Sequence, residues 1–261
     1  MPTARRIYRV TLLLLHAALG IALTLLLTRP RQAAPGPVFD AIACWWRARI
    51  ARILRLDLRV RGRPVDGPAL LVANHVSWMD IPVLGWIPTI SFLSKAEVRR
   101  WPVIGWLAAR GGTLFIRRGE RGGADTAAEQ ITWHLIRGRK VLLFPEGTTT
   151  DGGLVRAFHP RLFAAALLAN VAVQPIALRY TRPQGQPHGT PHPSAPFIGD
   201  DTFPSHLWRV LGERRIVVEL EFLAPINTQG RERKALAQAA QQQIAQVVGG
   251  VPGENREGNV S

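Results

Sequence analysis

The stretch Asn74-His75-Val76-Ser77-Trp78-Met79-Asp80 places a histidine and an aspartate five residues apart, directly after the apolar run Leu70–Ala73. The run reads as a buried strand, and a strand end gives a loop residue a rigid base. Five residues is a poor spacing for one face of a regular helix. It suits a histidine on a strand-to-helix turn and an aspartate on the helix that follows. The carboxylate can then accept a hydrogen bond from one ring nitrogen, fix the tautomer, and stabilise the imidazolium formed when the other nitrogen takes a proton. The same residues also fit a plainer arrangement, a histidine hydrogen-bonded in a turn with Asp80 as a helix cap. No Gly-x-Ser-x-Gly occurs, and nothing marks Ser77 as a nucleophile. Chemistry at His75 would therefore be general-base catalysis on a hydroxyl of the substrate itself.

Three later runs carry polar groups at the ends of apolar segments. Phe144-Pro145-Glu146-Gly147-Thr148 follows the apolar Val141–Phe144 and presents a carboxylate in a turn with exposed backbone amides. Gly111-Gly112-Thr113-Leu114-Phe115-Ile116-Arg117-Arg118 is an apolar strand ending in two arginines, a residue suited to bidentate recognition of phosphate. Taken alone, it also fits a strand with a solvated basic end. Val173-Gln174-Pro175-Ile176-Ala177-Leu178 is an apolar strand whose proline predicts an edge, a start or a bulge.

In this order the four runs resemble the motif blocks of the glycerolipid acyltransferase family, which includes the 1-acyl-glycerol-3-phosphate acyltransferases. His75 and Asp80 match the His-x4-Asp block, Gly112–Arg118 the second with Arg118 at its arginine, and Glu146-Gly147-Thr148 the third. Val173–Ala177 resembles the fourth, and Lys95-Ala96-Glu97 with Pro102, Gly105 and Gly112 resembles the linking stretch. The resemblance covers Leu58 to Tyr180. It implies that His75 and Asp80 are catalytic, and that the acyl donor is a thioester of coenzyme A or acyl carrier protein. It further implies that Arg117, Arg118, Glu146, Gly147 and Thr148 hold the acceptor, with no metal or bound cofactor. The implied acceptor is 1-acyl-sn-glycerol-3-phosphate, giving phosphatidic acid. One position departs from the pattern: Thr149 stands where acyltransferases acting on lysophosphatidate commonly have arginine. Arg117, Arg118, Arg156 or Arg161 could compensate. Alternatively the acceptor differs, and the Glu-Gly-Thr-Thr run resembles enzymes that O-acylate lyso-ornithine lipid.

These runs must be held by a core and brought to a substrate. The chain has 261 residues, 47% hydrophobic, enough for one sizeable α/β core with appendages. Its net charge of +15 calls for an anionic partner: nucleic acid, an anionic membrane or a phosphorylated substrate. Eight tryptophans beside long apolar runs favour the membrane over nucleic acid. A non-catalytic membrane or lipid-binding protein is the alternative of a different class. The single cysteine, Cys44, excludes an internal disulfide and a cysteine-based metal cluster, and its apolar setting suits an inert thiol.

Val10–Leu27 is almost wholly apolar, about 27 Å as a helix against a hydrocarbon core of about 30 Å. Arg5, Arg6 and Arg9 precede it and Arg29 and Arg31 follow, so a simple span would leave one basic flank on the disfavoured side. Val38–Leu56 repeats Phe39, Ile42, Trp46, Ile50 and Ile53 at helical spacing, with Arg47, Arg49, Arg52 and Arg55 around them, as an interfacial helix would. With Pro35-Gly36-Pro37 as the turn, the two predict a helical hairpin in one leaflet or barely spanning, with the body on the cytoplasmic face of the inner membrane if the source is bacterial. A transmembrane anchor, a cleaved signal peptide and a buried core helix are the other readings.

From Leu58 onward, strands at 58–61, 69–73, 91–94, 113–117, 141–144, 173–179 and 215–222 alternate with helices near 80–86, 102–110, 123–137, 160–169, 204–211 and 231–248. That pattern predicts an α/β fold with a single mixed sheet flanked by helices. Residues 1–56 are then the membrane-anchoring segment, 57–248 the catalytic domain and 249–261 a flexible tail. The Pro- and Gly-rich 183–196, with His188 and His192, reads as an exposed loop.

Overall fold

The computed structural model describes residues 2–27, 36–116, 123–182 and 191–249. In chain order the elements are α1 (Pro2–Leu27), α2 (Pro37–Ile53), β1 (Leu56–Arg61), β2 (Ala69–Ala73), α3 (Asp80–Leu84), β3 (Ile90–Lys95), α4 (Ile104–Arg110), β4 (Leu114–Ile116), α5 (Gly123–Ile136), β5 (Lys140–Leu143), α6 (Ala164–Leu168), β6 (Val173–Thr181), α7 (Phe203–Gly212), β7 (Ile216–Phe222) and α8 (Arg233–Gly249). Short 3-10 turns, Ala96–Arg100 and Pro160–Phe163, precede α4 and α6.

The strands form one mixed sheet in the order β1-β7-β6-β2-β5-β3-β4. The five strands from β6 to β4 are mutually parallel; β7 runs antiparallel to β6, with β1 parallel to β7. Strand β2 lies near the centre with all five residues buried, as the unbroken apolar run Ala69–Ala73 requires of a strand covered on both faces. Period-two alternation divides it between two cores. Leu71 and Ala73 pack with Leu54 just past α2 and with Val83, Leu84, Val210 and Leu211 from α3 and α7. Leu70 and Val72 pack with Ile131, Leu135, Ala165, Leu236 and Ile244 from α5, α6 and α8. The result is a three-layer helix–sheet–helix body.

Pro175 is the third residue of β6, a central strand and not an edge. The proline is tolerated because β7 pairing ends beside it, at Ile176 opposite Phe222. Leu223 N–H still donates to Pro175 O at 3.0 Å. The return bond that a proline cannot make is replaced by the Gln174 side chain, whose Nε2 donates to Leu223 O at 3.3 Å.

The N-terminal helix starts earlier than its apolar run, at Pro2, and its burial pattern is inverted. Its buried residues are Arg9, His16, Gly20 and Thr24, while Leu14, Leu15, Leu19, Leu25 and Leu26 are exposed. A helix that turns its polar and small residues inward and its leucines outward presents an apolar surface that fits lipid. By length and composition α1 could cross a membrane. His16 and Trp46 lock α1 to α2 reciprocally. The His16 ring nitrogen Nε2 is 2.9 Å from Trp46 O, Trp46 Nε1 donates to His16 O at 2.9 Å, and the rings stack at 5.0 Å. Gly20 leaves room for that indole, since a Cβ there would lie 2.7 Å from it. Gly36 and Pro37 open α2; Pro35 and the rest of the linker lie outside the described residues.

The arginines ahead of the apolar run are not lipid-facing flanks. Arg5 donates to Gly212 O, Arg6 to Trp208 O and Arg9 to Leu211, Glu213 and Arg214 carbonyls, all in or just past the last turn of α7. Cationic donors at a helix C-terminus satisfy carbonyls that lack helical partners and complement the dipole. Arg47 of α2 is likewise turned inward, donating from Nε to Gly85 O at 2.9 Å at the end of α3.

Within 191–196, His192, Ser194 and Ala195 are buried rather than exposed, while Pro191 and Pro193 face solvent. Ala195 is fully buried, His192 N–H donates to Tyr180 O at 2.9 Å, and Ser194 Oγ donates to Glu213 at 2.7 Å. His188 and the tail beyond Gly249 lie outside the described residues.

Candidate active site

Strands β6, β2 and β5 are parallel neighbours, so their carboxyl ends share one edge of the sheet, where ligands bind in open α/β sheets. The turn after β2 carries Asn74 and His75, the turn after β5 carries Glu146, and the end of β6 carries Tyr180. His75 therefore sits between one acidic and one phenolic neighbour by topology alone.

Asn74 ends the β2 ladder by imitating a peptide. Its Nδ2 donates to Leu178 O and its Oδ1 accepts from Leu178 N–H, both at 2.8 Å. The side chain makes the bonds a further strand residue would make, so the backbone is free to turn away at His75.

The His75 Nδ1 and Asp80 Oδ2 atoms are 2.7 Å apart. The same oxygen accepts from the backbone amides of Val76 at 2.9 Å and Ser77 at 3.1 Å, and Oδ1 accepts the Tyr180 hydroxyl at 2.7 Å. Asp80 is fully buried, whereas the His75 side chain keeps 22% of its surface open. Asp80 is the first residue of α3, yet its carboxylate points back to the turn and makes no cap bond to its own helix. The helix-cap alternative is thus not the arrangement found. Burial together with Asp80 raises the Tyr180 phenol well above its ordinary value, keeping it a hydrogen-bond donor.

Phe144 stacks on the imidazole at 4.1 Å with an interplanar angle of 13°. With one face covered and Nδ1 engaged, Nε2 is the nitrogen left to meet a substrate. Ser77 is fully buried and its hydroxyl makes no hydrogen bond among the described residues, so it is not partnered with His75. Cys44 donates its thiol to Trp86 O, away from this turn.

Glu146 is 4% exposed and spends both carboxylate oxygens on backbone amides: Oε1 on His75 N–H at 2.8 Å and Oε2 on Arg156 N–H at 2.9 Å. Burial raises its pKa, and the hydrogen bonds from Arg156 and His75 oppose that rise. Glu146 therefore splints three segments together. Gly147 turns the chain at φ +76°, a conformation that favours glycine, and its amide donates to Phe144 O at 3.2 Å. Thr148 is exposed. Thr149 donates its hydroxyl to Phe197 O, and Thr150 N–H donates to His75 O at 2.8 Å. Gly152 lies against Val76, where a Cβ would come within 3.2 Å. Arg117 and Arg118 follow the end of β4, beyond Ile116, and lie outside the described residues. Among the described residues no cluster of three or more His, Cys, Asp or Glu is placed to hold a metal.

The geometry unites His75, Asp80 and Glu146, and adds Tyr180 and Asn74, which sequence reasoning did not single out. The spacing within 173–181 carried no sign that Tyr180 would face Asp80. Asn74 was visible only as the residue before the histidine.

A buried carboxylate orienting a histidine with one open nitrogen is an arrangement for taking a proton from a hydroxyl. Comparison with known proteins agrees on the family. Residues 57–179 match the acyltransferase family. The lyso-ornithine lipid O-acyltransferase of Pseudomonas aeruginosa is 46% identical over 248 residues, 94% of this chain and 93% of that protein. The chain belongs to the acyltransferase family. This acyltransferase is also 40% identical to the lyso-ornithine lipid O-acyltransferase of Brucella abortus, over 75% of the chain and 77% of the relative. The 1-acyl-sn-glycerol-3-phosphate acyltransferase of Neisseria gonorrhoeae is 32% identical over 72% of the chain and 73% of the relative. The crystal structure of the 1-acyl-sn-glycerophosphate acyltransferase of Thermotoga maritima shares the fold, with a TM-score of 0.63 at 22% identity over 95% of this chain and 98% of that one.

Proposed function

We propose that this acyltransferase moves an acyl chain from a thioester, of coenzyme A or acyl carrier protein, to the free hydroxyl of lyso-ornithine lipid. The observation that carries the chemistry is the 2.7 Å contact of His75 Nδ1 with the buried Asp80, which leaves Nε2 open. Nε2 takes the proton of the acceptor hydroxyl, and the oxygen attacks the thioester carbonyl. The oxyanion of the tetrahedral intermediate is met by backbone amides near Gly147 other than those of Gly147 and Thr150, which donate to Phe144 O and His75 O. The C–S bond then breaks, and the departing thiolate takes the proton from the His75 imidazolium. Asp80 holds the ring and opposes its charge throughout. Glu146 holds the His75 backbone to the Gly147 turn, and the resemblance to the family's motif blocks assigns Arg117, Arg118, Gly147 and Thr148 to the acceptor's polar head.

The acceptor is read from two observations. Relatives named for lyso-ornithine lipid match at 46% and 40% identity. In addition, Thr149 brings no cation to the Glu146-Gly147-Thr148 turn, and its hydroxyl is spent on Phe197 O. Lysophosphatidate is the second reading, favoured by the Neisseria relative at 32% identity. The inverted surface of α1 supports a membrane-bound enzyme, with the site on the cytoplasmic face where thioester donors are found.

The test is thiol release by purified protein given acyl-CoA or acyl carrier protein with each acceptor in turn. Turnover with lyso-ornithine lipid, lost in His75→Ala while vesicle binding persists, is the expected result. Turnover with lysophosphatidate alone would replace the first acceptor by the second. Undiminished turnover in His75→Ala would end the mechanism.

A further inference from the structure

Between β3 and α4 the chain exposes six residues in a row, Arg99-Arg100-Trp101-Pro102-Val103-Ile104. Trp101, Val103 and Ile104 are 38%, 41% and 43% exposed, large apolar side chains standing in water at a tip. Neither arginine forms an ion pair among the described residues; Arg99 lies over the Phe115 ring at 5.6 Å. Two cations beside a tryptophan and two aliphatic residues match the boundary between anionic headgroups and acyl chains.

The tip is held out at some conformational cost. Val103 is β-branched and adopts φ +62° and ψ −60°, a region that such residues avoid. Ile104 N–H donates to Pro102 O at 2.6 Å, closing a three-residue turn. Gly105 allows the chain to fold back, because a Cβ there would lie 2.4 Å from the carbonyl oxygens of Val98 and Arg99. A turn strained in order to expose apolar groups is what an insertion device needs and a soluble loop does not.

Its position adds two arguments. α4 packs against α1, so the tip lies on an element in contact with the N-terminal helix. The Trp101 ring lies 5.5 Å from Phe203, and Phe203 lies 5.1 Å from Trp78, which sits between His75 and Asp80 in sequence. Aromatic packing thus runs from the tip to the turn that carries the reacting histidine.

We propose that Arg99–Ile104 is a second membrane contact, inserting Trp101, Val103 and Ile104 into the interface of an anionic bilayer and seating the mouth of the active site against the lipid surface. The inference rests on the membrane reading of α1 for its setting, and the experiment separates the two. Cys44→Ala leaves a chain in which Ile104→Cys, or as reference Leu14→Cys, carries a single environment-sensitive dye. Each full-length protein is bound to phosphatidylglycerol–phosphatidylethanolamine vesicles whose acyl chains bear a quenching spin label. Quenching at both positions is expected. Quenching at 14 but not at 104 overturns the proposal and leaves the α1 reading intact; quenching at neither overturns both; quenching at 104 alone upholds the tip and removes the α1 reading. In parallel, Ile104→Asp places an acidic residue in the first turn of α4, where it suits the helix. Turnover of vesicle-embedded lysolipid should fall about tenfold, the order expected for withdrawing one aliphatic side chain from lipid and adding a charge. Turnover of a short-chain, monomeric acceptor should stay within about twofold, since the residue touches no reacting group. Equal losses on both acceptors would overturn the proposal.

Discussion

The Tyr180 hydroxyl donates to Asp80 Oδ1 at 2.7 Å, on the opposite side of the carboxylate from the histidine. Asp80 is therefore clamped from both oxygens, and the orientation of the His75 ring is set by a strand distant in sequence.

Tyr180→Phe removes that clamp and leaves a buried carboxylate oxygen without its donor. Stability should fall by about 1–3 kcal/mol, the usual cost of orphaning a buried polar group. The turnover number should drop about tenfold while the KM for the acceptor stays nearly constant, as expected of a positioning residue. Urea unfolding and single-turnover thiol release measure the two effects. A variant with wild-type turnover would show that Tyr180 does not position the pair.

Glu146→Gln tests the splint. The glutamine offers one acceptor oxygen where the glutamate uses two, and its NH2 group meets a backbone N–H of His75 or Arg156. Activity should fall at least about tenfold as the 147–150 turn loosens from the His75 turn. Proteolysis should reach the segment around Gly152 faster than in the wild type. Unchanged protease sensitivity alongside lost activity would instead place Glu146 on the substrate.

Asp40 and Arg139 form a bidentate pair at 2.8 and 2.9 Å that ties the first turn of α2 to the start of β5. The Arg139 and Asp40 side chains are 6% and 13% exposed. Asp40→Asn should cost about 3–5 kcal/mol, because it strands a buried cation. Adding Arg139→Met to Asp40→Leu should recover most of the loss in chemical denaturation. A double variant as unstable as the single one would contradict this account.

His134 is buried against Ser91, its Nδ1 3.1 Å from that hydroxyl. Desolvation, then Arg139 and Arg137, lower its pKa to about 4. The unfolded chain has the higher value, so it binds the proton first. The stability conferred by the neutral imidazole is present above the ordinary histidine range and is lost as pH falls through about 4. His134→Gln should flatten the pH dependence of unfolding between neutral pH and that point. A slope equal to the wild type would assign it to other groups.

Much of this architecture was legible in the sequence because it is local. Ala69–Ala73 is apolar without interruption and became a central strand; Arg233–Gly249 has helical spacing and became a helix. The proximity of His75 and Asp80 was legible for the same reason, being a matter of five residues. What escaped was long-range. Tyr180 meets Asp80 because β6 pairs with β2, and no spacing within either segment states that pairing. Pro175 read as a marker of an edge, a start or a bulge; it lies in a central strand where the pairing slips by one residue between Ile176–Phe222 and Val173–Ile226, and the Gln174 side chain supplies the missing donor. Arg5, Arg6 and Arg9 read as flanks of a lipid-facing run, because the carbonyls they satisfy lie about 200 residues further along the chain.

Those arginines have a consequence for anyone cutting the gene. A shortened version beginning near Gly36, made to dispense with detergent, would strip five hydrogen bonds from the carbonyl end of α7. It would also uncover the space beside Gly212, against which Arg6 now rests. The N-terminal helix and the catalytic body are thus not separable modules: α1 also completes the carbonyl end of a helix about 200 residues further along the chain.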